Sequence, residues 1–129
     1  MTNEEIEALL ARHKLGGGAH SRPENGMCAM EMVAHIAGES HSDRPECVSP
    51  AIAAFCRSWN DALNDENRQM LKGHLLQTIG TRTTAADEET RAWMATDWLV
   101  RTYLPAWLEL AKLTEEAAQV RALPELVSA

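Results

Sequence analysis

The sequence has no long apolar run and no basic, apolar leader. None of its 129 residues lie in a stretch able to span a bilayer, and MTNEEIEALLARHK does not resemble a signal peptide. Lysine and arginine total only 12 against 19 acidic residues, for a net charge of −7. This balance argues against direct nucleic-acid binding and against an anionic membrane as a partner. We therefore expect a cytoplasmic protein.

Strand signals are also missing. No segment alternates apolar and polar residues with a period of two, and valine and isoleucine are sparse. Apolar residues recur instead at helical spacing between Gly, Pro and Ser punctuation. The sequence predicts an all-α fold, a single domain over 1–129 with five to six helices. It further predicts two long polar loops at about 14–26 and 38–49, and a frayed C-terminal tail at about 123–129.

Helix ends carry clear local signals. Thr2 and Glu5 form a capping-box pattern, Gly38 is a C-cap, and Ser49 before Pro50 is typical of a helix start. Pro105 is expected to kink or break the fifth helix. The core is expected from segments two to five. The predicted helices span about 3–15, 27–37, 50–63, 64–79, 84–113 and 114–123.

The middle of the chain resembles a known family. CAMEMVAHIAGESHSDRPECVSP, the Asn-Asp pair, the Gly-Thr turn and DWLVR are similar to a widespread group of small uncharacterised phage and actinobacterial proteins. The resemblance implies a phage or bacterial cytoplasmic origin, with the host cytoplasm as the location if a phage encodes the chain. It also implies an accessory factor that acts on host machinery or signals. Its matched positions are Cys28, Met30, Glu31, Gly38, Glu39, Ser42, Asp43, Pro45, Cys47, Pro50, Asn60, Asp61, Gly80 and Thr81.

Polar residues crowd into residues 16–47, with a further arginine near 82. Hydroxyl donors beside arginines, at helix ends, are typical of phosphate sites, and a tryptophan can stack on a base. We therefore predict a non-enzymatic protein that binds a small, phosphate-bearing, nucleotide-like ligand or a host defence or signalling protein. The predicted ligand-binding residues are His20, Ser21, Arg22, Glu31, His41, Ser42, Asp43, Arg44 and Arg82.

Zinc binding is the first alternative. Cys28, His35, His41 and Cys47 have the side chains that zinc prefers, for a structural or hydrolytic site. Their spacing matches no CxxC, HxxxH or HExxH pattern. The three cysteines are an odd number and are expected as reduced thiols.

Two further functional alternatives stay open. An enzyme would use an acid or base from His20, Glu31, His41 and Asp43. Its nucleophile would be Cys28 or Cys47, but no hydrolase elbow, P-loop or dinucleotide fingerprint is present. An acidic antagonist of a host nucleic-acid-binding defence protein would use the net charge.

Aromatic residues concentrate near the C-terminus. Trp93, Trp98, Tyr103 and Trp107 predict either core packing or a homo-oligomer interface, and Asp97 with Arg101 predicts an intrahelical ion pair.

Overall fold

A computed structural model describes residues 1–128, and the protein is all-α, as the sequence predicts. The chain divides into two compact units, Met1–Thr83 and the part from Thr84 onward. Within residues 1–128, seven α-helices are present when the run 85–110 is counted as one helix, whereas five to six helices are predicted. The α-helices are α1 (Asn3–Arg12), α2 (Ala29–Ala37), α3 (Pro50–Ala62), α4 (Asp65–Arg68), α5 (Leu75–Thr78), α6 (Ala85–Trp98), α7 (Leu104–Leu110) and α8 (Thr114–Arg121).

The first unit is built around α2. Every residue of this helix from Ala29 to Ala34 is buried, including Glu31, and the helix packs against α3 and α5. A helix that is apolar nearly all round can only be stable in the interior. Leu9 of α1, Leu15, Val48 and Leu71 complete the same cluster. No core-cluster residue among the described ones lies beyond Ile79, so the expected contribution of the fifth segment to this core is wrong.

The local helix signals are confirmed. Thr2 and Glu5 form the capping box, and Gly38 closes α2 in the left-handed conformation with a φ of 75°. The Ser49 side chain accepts a hydrogen bond from the Ile52 N–H, with Pro50 in the first turn of α3. These signals act over three or four residues, which explains why they can be read without tertiary information.

The segment 64–79 is not one helix. It begins as α4, tightens into a 3-10 stretch at Gln69–Gly73 and resumes as α5. Gly73 lies at the end of the 3-10 stretch, where its low helix propensity favours a change of direction. The apolar side chains Leu71 and Leu75 still reach the core, because the interrupted path keeps both on the α2 side.

The second unit is a helical hairpin. α6 continues through a π-helical turn at Leu99–Tyr103 into α7, and α8 folds back along α7 after a turn at Lys112. A kink or a break is predicted at Pro105; the break is wrong, since the helix runs on through this residue, although the π turn interrupts the regular α-helix just before it. The wider π turn precedes the proline and accommodates its missing N–H and bulky ring.

The tail after α8 has no helix but is tied down. Asp97 accepts a hydrogen bond from the Leu126 N–H, and Arg101 donates one to the Leu123 carbonyl. The predicted ion pair between Asp97 and Arg101 is confirmed, with Nε–Oδ1 at 2.6 Å. Within residues 1–128 no helix has the length and apolar character needed to cross a membrane.

Candidate functional site

Glu31 organises the first polar loop. Its carboxylate is 1% exposed and accepts hydrogen bonds from the His20 backbone N–H at 2.6 Å, His20 Nδ1 at 2.8 Å and the Cys28 backbone N–H at 2.8 Å. Burial raises the pKa of Glu31, but the N–H groups of Cys28 and His20 outweigh it and hold the pKa below its ordinary value. The carboxylate is therefore ionised at neutral pH and acts as an anchor for the chain around it.

The His20 ring packs closely against two glycines, Gly16 and Gly26. A Cβ added at Gly16 would lie 2.9 Å from His20 Nε2, and one added at Gly26 would lie 3.0 Å from His20 Cδ2. Only glycine leaves room for the imidazole at these two positions. Because a carboxylate only accepts, Nδ1 of His20 carries the hydrogen that binds Glu31. The ring is therefore a packed structural element.

His41 closes the cluster from the second polar loop. Its Nε2 donates to the His20 carbonyl at 2.9 Å and lies 3.6 Å from Glu31 Oε1. Its Nδ1 is buried and has no hydrogen-bond partner among the described atoms. His20, Glu31 and His41 are thus brought together, as the ligand prediction requires. Their polar atoms are mostly occupied by one another and by backbone, so they join the two loops to α2.

Asn60 and Asp61 fix the glycine-rich loop. Asn60 is fully buried at the end of α3, accepts from the Ala29 N–H at 3.1 Å and donates to the Gly16 carbonyl at 3.0 Å. Asp61 accepts from Asn60 and from the Gly18 N–H at 2.8 Å. The pair therefore links α2, α3 and the first loop. A simple helix-ending turn would account for this Asn-Asp dipeptide in the sequence, and the structure gives it this larger role.

Three arginines line a cleft that is separate from the cluster of His20, Glu31 and His41. Arg44, Arg57 and Arg82 line a cavity of about 320 Å³, together with an apolar wall of Pro45, Val48, Pro50 and Ala53. None of the described residues that line this cleft carries a carboxylate. Its volume lies at the lower end of the range for small-molecule sites.

Two of these arginines are positioned by loop atoms. Arg57 Nη1 donates to the Asp43 carbonyl at 3.1 Å, and its Nε lies 3.7 Å from the Asp43 carboxylate. Arg82 donates from Nη1 to the Glu46 carbonyl at 3.4 Å, while its backbone N–H donates to the Cys47 carbonyl at 3.2 Å. The Arg44 guanidinium makes no ion pair with any carboxylate of residues 1–128. It is the cationic group most available to a ligand.

Glu39 shapes the loop that carries Arg44. Its carboxylate accepts from the N–H groups of Glu46 at 2.5 Å and Cys47 at 2.8 Å. Burial raises the pKa of Glu39, but hydrogen bonds from Cys47 and Glu46 and the nearby charge of Arg82 lower it overall. The loop is thus closed upon an ionised carboxylate. Ser42 accepts from the Arg44 N–H at 3.0 Å and sets the entry of Arg44 into the cleft.

The predicted ligand residues divide into separate places. His20, Glu31 and His41 form the buried cluster, whereas Arg44 and Arg82 line the cleft, with Asp43 behind Arg57. Ser21 and Arg22 are exposed at the 3-10 turn Pro23–Asn25, where Ser21 accepts from Asn25. They line neither feature.

The four residues of the zinc alternative are not assembled. His35 is exposed on α2, while Cys28 is buried at the opposite, N-terminal end of that helix. The described part of the chain contains no group of three or more histidine, cysteine or acidic side chains arranged to hold a metal. Although Glu31 and His35 are four residues apart, one is buried and the other exposed. The described residues therefore give the zinc alternative no support.

The thiols are poorly suited to nucleophilic roles. Burial raises the pKa of Cys28 to about 12, so this thiol stays protonated near neutral pH. Its sulfur instead caps α2 by accepting from the Glu31 N–H at 3.5 Å. Burial and the Glu39 carboxylate likewise raise the pKa of Cys47. Neither cysteine has the lowered pKa that a catalytic thiolate needs.

Comparison with known proteins adds no relative. The chain matches no protein-family model, no curated protein and no solved structure. The resemblance to phage and actinobacterial proteins therefore stays a prediction.

Sequence reasoning missed Arg57. The residue lies inside α3, in a stretch that otherwise reads as an apolar stripe. A signal was present, because Pro50, Ala53 and Arg57 are spaced i, i+3, i+7 and so share one helix face. That face follows directly on the loop bearing Arg44.

Proposed function

We propose that this chain is a non-enzymatic binding protein for a small phosphate-bearing ligand, held in the cleft of Arg44, Arg57 and Arg82. The observation that carries the proposal is the convergence of three guanidinium groups on one cavity in a protein of net charge −7. Guanidinium forks match phosphate oxygens in geometry and charge. A positive cleft in an acidic protein also guides an anion to that place.

The cleft is prepared for a ligand before any ligand arrives. Asp43 and the Glu46 carbonyl hold Arg57 and Arg82 in place, which reduces the side-chain entropy lost on binding. Arg44 supplies a cation without an acidic partner among the described residues. Two carboxylates, Asp43 and Glu39, lie beside the three guanidinium groups, which leaves one excess positive charge that an anion would neutralise.

The apolar wall selects more than a bare anion. Val48 and Ala53 are buried, and Pro45 and Pro50 form the remaining lining. An apolar group attached to the phosphate, such as a flat nucleobase or a short acyl chain, would lie against this wall. The proposal therefore favours a mononucleotide-sized ester over inorganic phosphate.

The experiment is isothermal titration of the full chain with AMP, adenosine and inorganic phosphate at one fixed salt concentration. We expect AMP to bind most tightly, phosphate more weakly and adenosine least. Arg44→Ala should weaken AMP binding by roughly 10- to 100-fold, the effect of losing one charge-assisted hydrogen-bonding group. Arg57→Ala should have a similar effect, since its guanidinium shares the cleft.

Two control variants locate the site. Arg12→Ala removes an exposed cation from α1 and should leave AMP affinity unchanged. Arg22→Ala tests the first polar loop, which the cleft excludes. If Arg22→Ala loses AMP and Arg44→Ala does not, the ligand lies on that loop and the cleft is the wrong site. If neither AMP nor phosphate binds at millimolar concentration, the proposal of a phosphate site fails.

A further inference from the structure

Three exposed aromatic side chains form a continuous row on the second unit. The rings of Trp98 and Tyr103 stack with centroids 5.4 Å apart, and Tyr103 meets Trp107 edge-on at 6.0 Å. Their exposed fractions are 50%, 45% and 55%. Stacked aromatic side chains usually lie in a core or an interface, so an exposed row of three indicates a surface used for association.

The π turn is what aligns this row. Trp98 and Tyr103 are five residues apart, which in a regular α-helix would rotate them by about 140° from one another. Leu104 N–H bonds to the Leu99 carbonyl across the π turn, which widens this turn by one residue and reduces that angle. The Trp98 and Tyr103 rings consequently come into stacking contact. The irregularity in the backbone and the aromatic row are therefore one feature.

The row is extended at both ends by aliphatic side chains and interrupted by no charge. Met94 lies one turn before Trp98 and Leu110 one turn after Trp107, with exposed fractions of 65% and 74%. We call these five residues, Met94, Trp98, Tyr103, Trp107 and Leu110, the aromatic stripe. The neighbouring charged side chains form ion pairs with one another, Asp97 with Arg101 and Glu109 with Arg121.

The order of residues along the stripe is nearly palindromic. Reading outward from Tyr103, each direction gives a tryptophan and then an aliphatic residue: Trp98 and Met94 one way, Trp107 and Leu110 the other. In an isologous dimer the same patch of both protomers meets across a two-fold axis, and this order would bring apolar side chains of similar size opposite one another. In such a pairing Trp98 of one protomer meets Trp107 of its partner, and Met94 meets Leu110.

We propose that the aromatic stripe is a homodimer interface, in which two copies of this chain pack their α6–α7 helices antiparallel with Tyr103 at the two-fold axis. The exposed part of the five side chains comes to roughly 600 Å² per protomer, taking each whole side chain as about 200 Å². Two copies would bury about 1,200 Å², which exceeds the ~1,000 Å² expected of a specific interface. Leu99 and Leu104, both exposed, flank the stripe and would add to the buried area.

The first test is sedimentation of the full chain over a range of concentrations. We expect a monomer–dimer equilibrium with a dissociation constant of roughly micromolar order, as befits an interface at the small end of the range. Tyr103→Asp places two carboxylates against each other at the axis and should weaken association by at least about 30-fold. Phe55→Asp, at an even more exposed aromatic residue of the first unit, should leave it unchanged.

Two results of this test would overturn the proposal. One is a wild-type chain that stays monomeric at concentrations far above micromolar. This holds also if another part of the same chain shields the tryptophans of that monomer. The other is a dimer that Phe55→Asp weakens as much as Tyr103→Asp does. Helical content measured by circular dichroism confirms that each exposed substitution leaves the fold intact.

A second test separates antiparallel from parallel pairing. Met94→Lys and Leu110→Glu should each weaken the dimer, because each places a charge against an apolar side chain. In the antiparallel arrangement the double variant brings every introduced lysine opposite an introduced glutamate, so affinity should recover to within a few-fold of wild type. A double variant weaker than either single variant indicates parallel pairing, in which like charges meet, and overturns the antiparallel arrangement.

Discussion

Replacing Glu31 with glutamine is the most informative single perturbation of the first unit. The two side chains have nearly the same shape, so the change tests hydrogen-bonding capacity and charge without opening a cavity. Glu31 Oε1 accepts from the His20 N–H, and Oε2 accepts from the Cys28 N–H and His20 Nδ1. A glutamine must place its NH₂ group at one of these two positions. Either choice sets an amide donor against a backbone donor.

The expected cost is about 2–4 kcal/mol. Hydrogen bonds to a charged group contribute roughly 1.5–3 kcal/mol each, and a buried donor left without an acceptor costs ~1–3 kcal/mol. A neutral amide is easier to bury than a carboxylate, and this offsets part of the loss. For a fold whose total stability is of the order of 5–15 kcal/mol, the variant should remain folded at room temperature with a clearly reduced urea midpoint.

The assay is urea unfolding at pH 7, followed by circular dichroism, together with hydrogen exchange of the peptide spanning 16–37. Glu24→Gln removes an exposed carboxylate from the same loop and serves as the matched control, with an expected change within about 0.5 kcal/mol. Hydrogen exchange should show faster opening of the loop around His20 in Glu31→Gln. The α6–α8 amides should be unaffected.

The pH dependence gives the charge component a separate signature. The pKa of Glu31 is below its ordinary value of 4.5 in the folded chain, so ionisation stabilises the fold above that value. This stabilisation is lost as pH falls from about 4.5 through the lower folded-state pKa. The difference between wild type and Glu31→Gln should therefore shrink in acid. A Glu31→Gln variant no less stable than Glu24→Gln at pH 7 would refute the account of Glu31 as an ionised anchor.

Two further predictions concern buried polar groups of the first unit. Asn60→Asp replaces the NH₂ group that donates to Gly16 and Asp61 with an acceptor, so it should destabilise by about 3 kcal/mol in urea unfolding, more than Asn60→Ala. Cys28, with its pKa raised to about 12, should resist iodoacetamide at pH 8 in the native state and react only after unfolding. Mass spectrometry would then show at most two adducts before denaturation and three after it, and a third native adduct would contradict the burial of this thiol.

The candidate site shows how far residue patterns carry a prediction. Arg44 and Arg82 are predicted as ligand residues because each lies beside hydroxyl groups at a helix end, and the structure places both in one cleft. The same reasoning groups Arg22 with them, although it lies elsewhere. Spacing along the chain cannot show whether the segments that carry Arg44 and Arg82 approach each other in the fold. Arg57 is missed because its helix face is recognised as part of a site only when the second polar loop is known to lie against it.

The histidine cluster shows the same limit in another form. His20, Glu31 and His41 are predicted to act together, and the structure brings them together: the His20 ring bonds to Glu31 at 2.8 Å, and His41 lies 3.6 Å from the Glu31 carboxylate. Their residue types suggest ligand or metal chemistry as readily as structural support. Only the three-dimensional arrangement shows that the carboxylate is nearly enclosed and its oxygen atoms already accept backbone N–H groups.

Local physics was sufficient for the all-α class, the capping box at Thr2, the left-handed cap at Gly38 and the start of α3 at Ser49, because each depends on side chains within one turn of the helix end. The path of residues 64–79, the passage of the helix through Pro105 and the burial of Glu31 are visible only in the tertiary structure. Burial of Leu71 and Leu75 gains more free energy than the ~1 kcal/mol that one residue's helix propensity contributes. Glu31 can be buried because the backbone N–H and ring of His20, eleven residues away, satisfy its carboxylate.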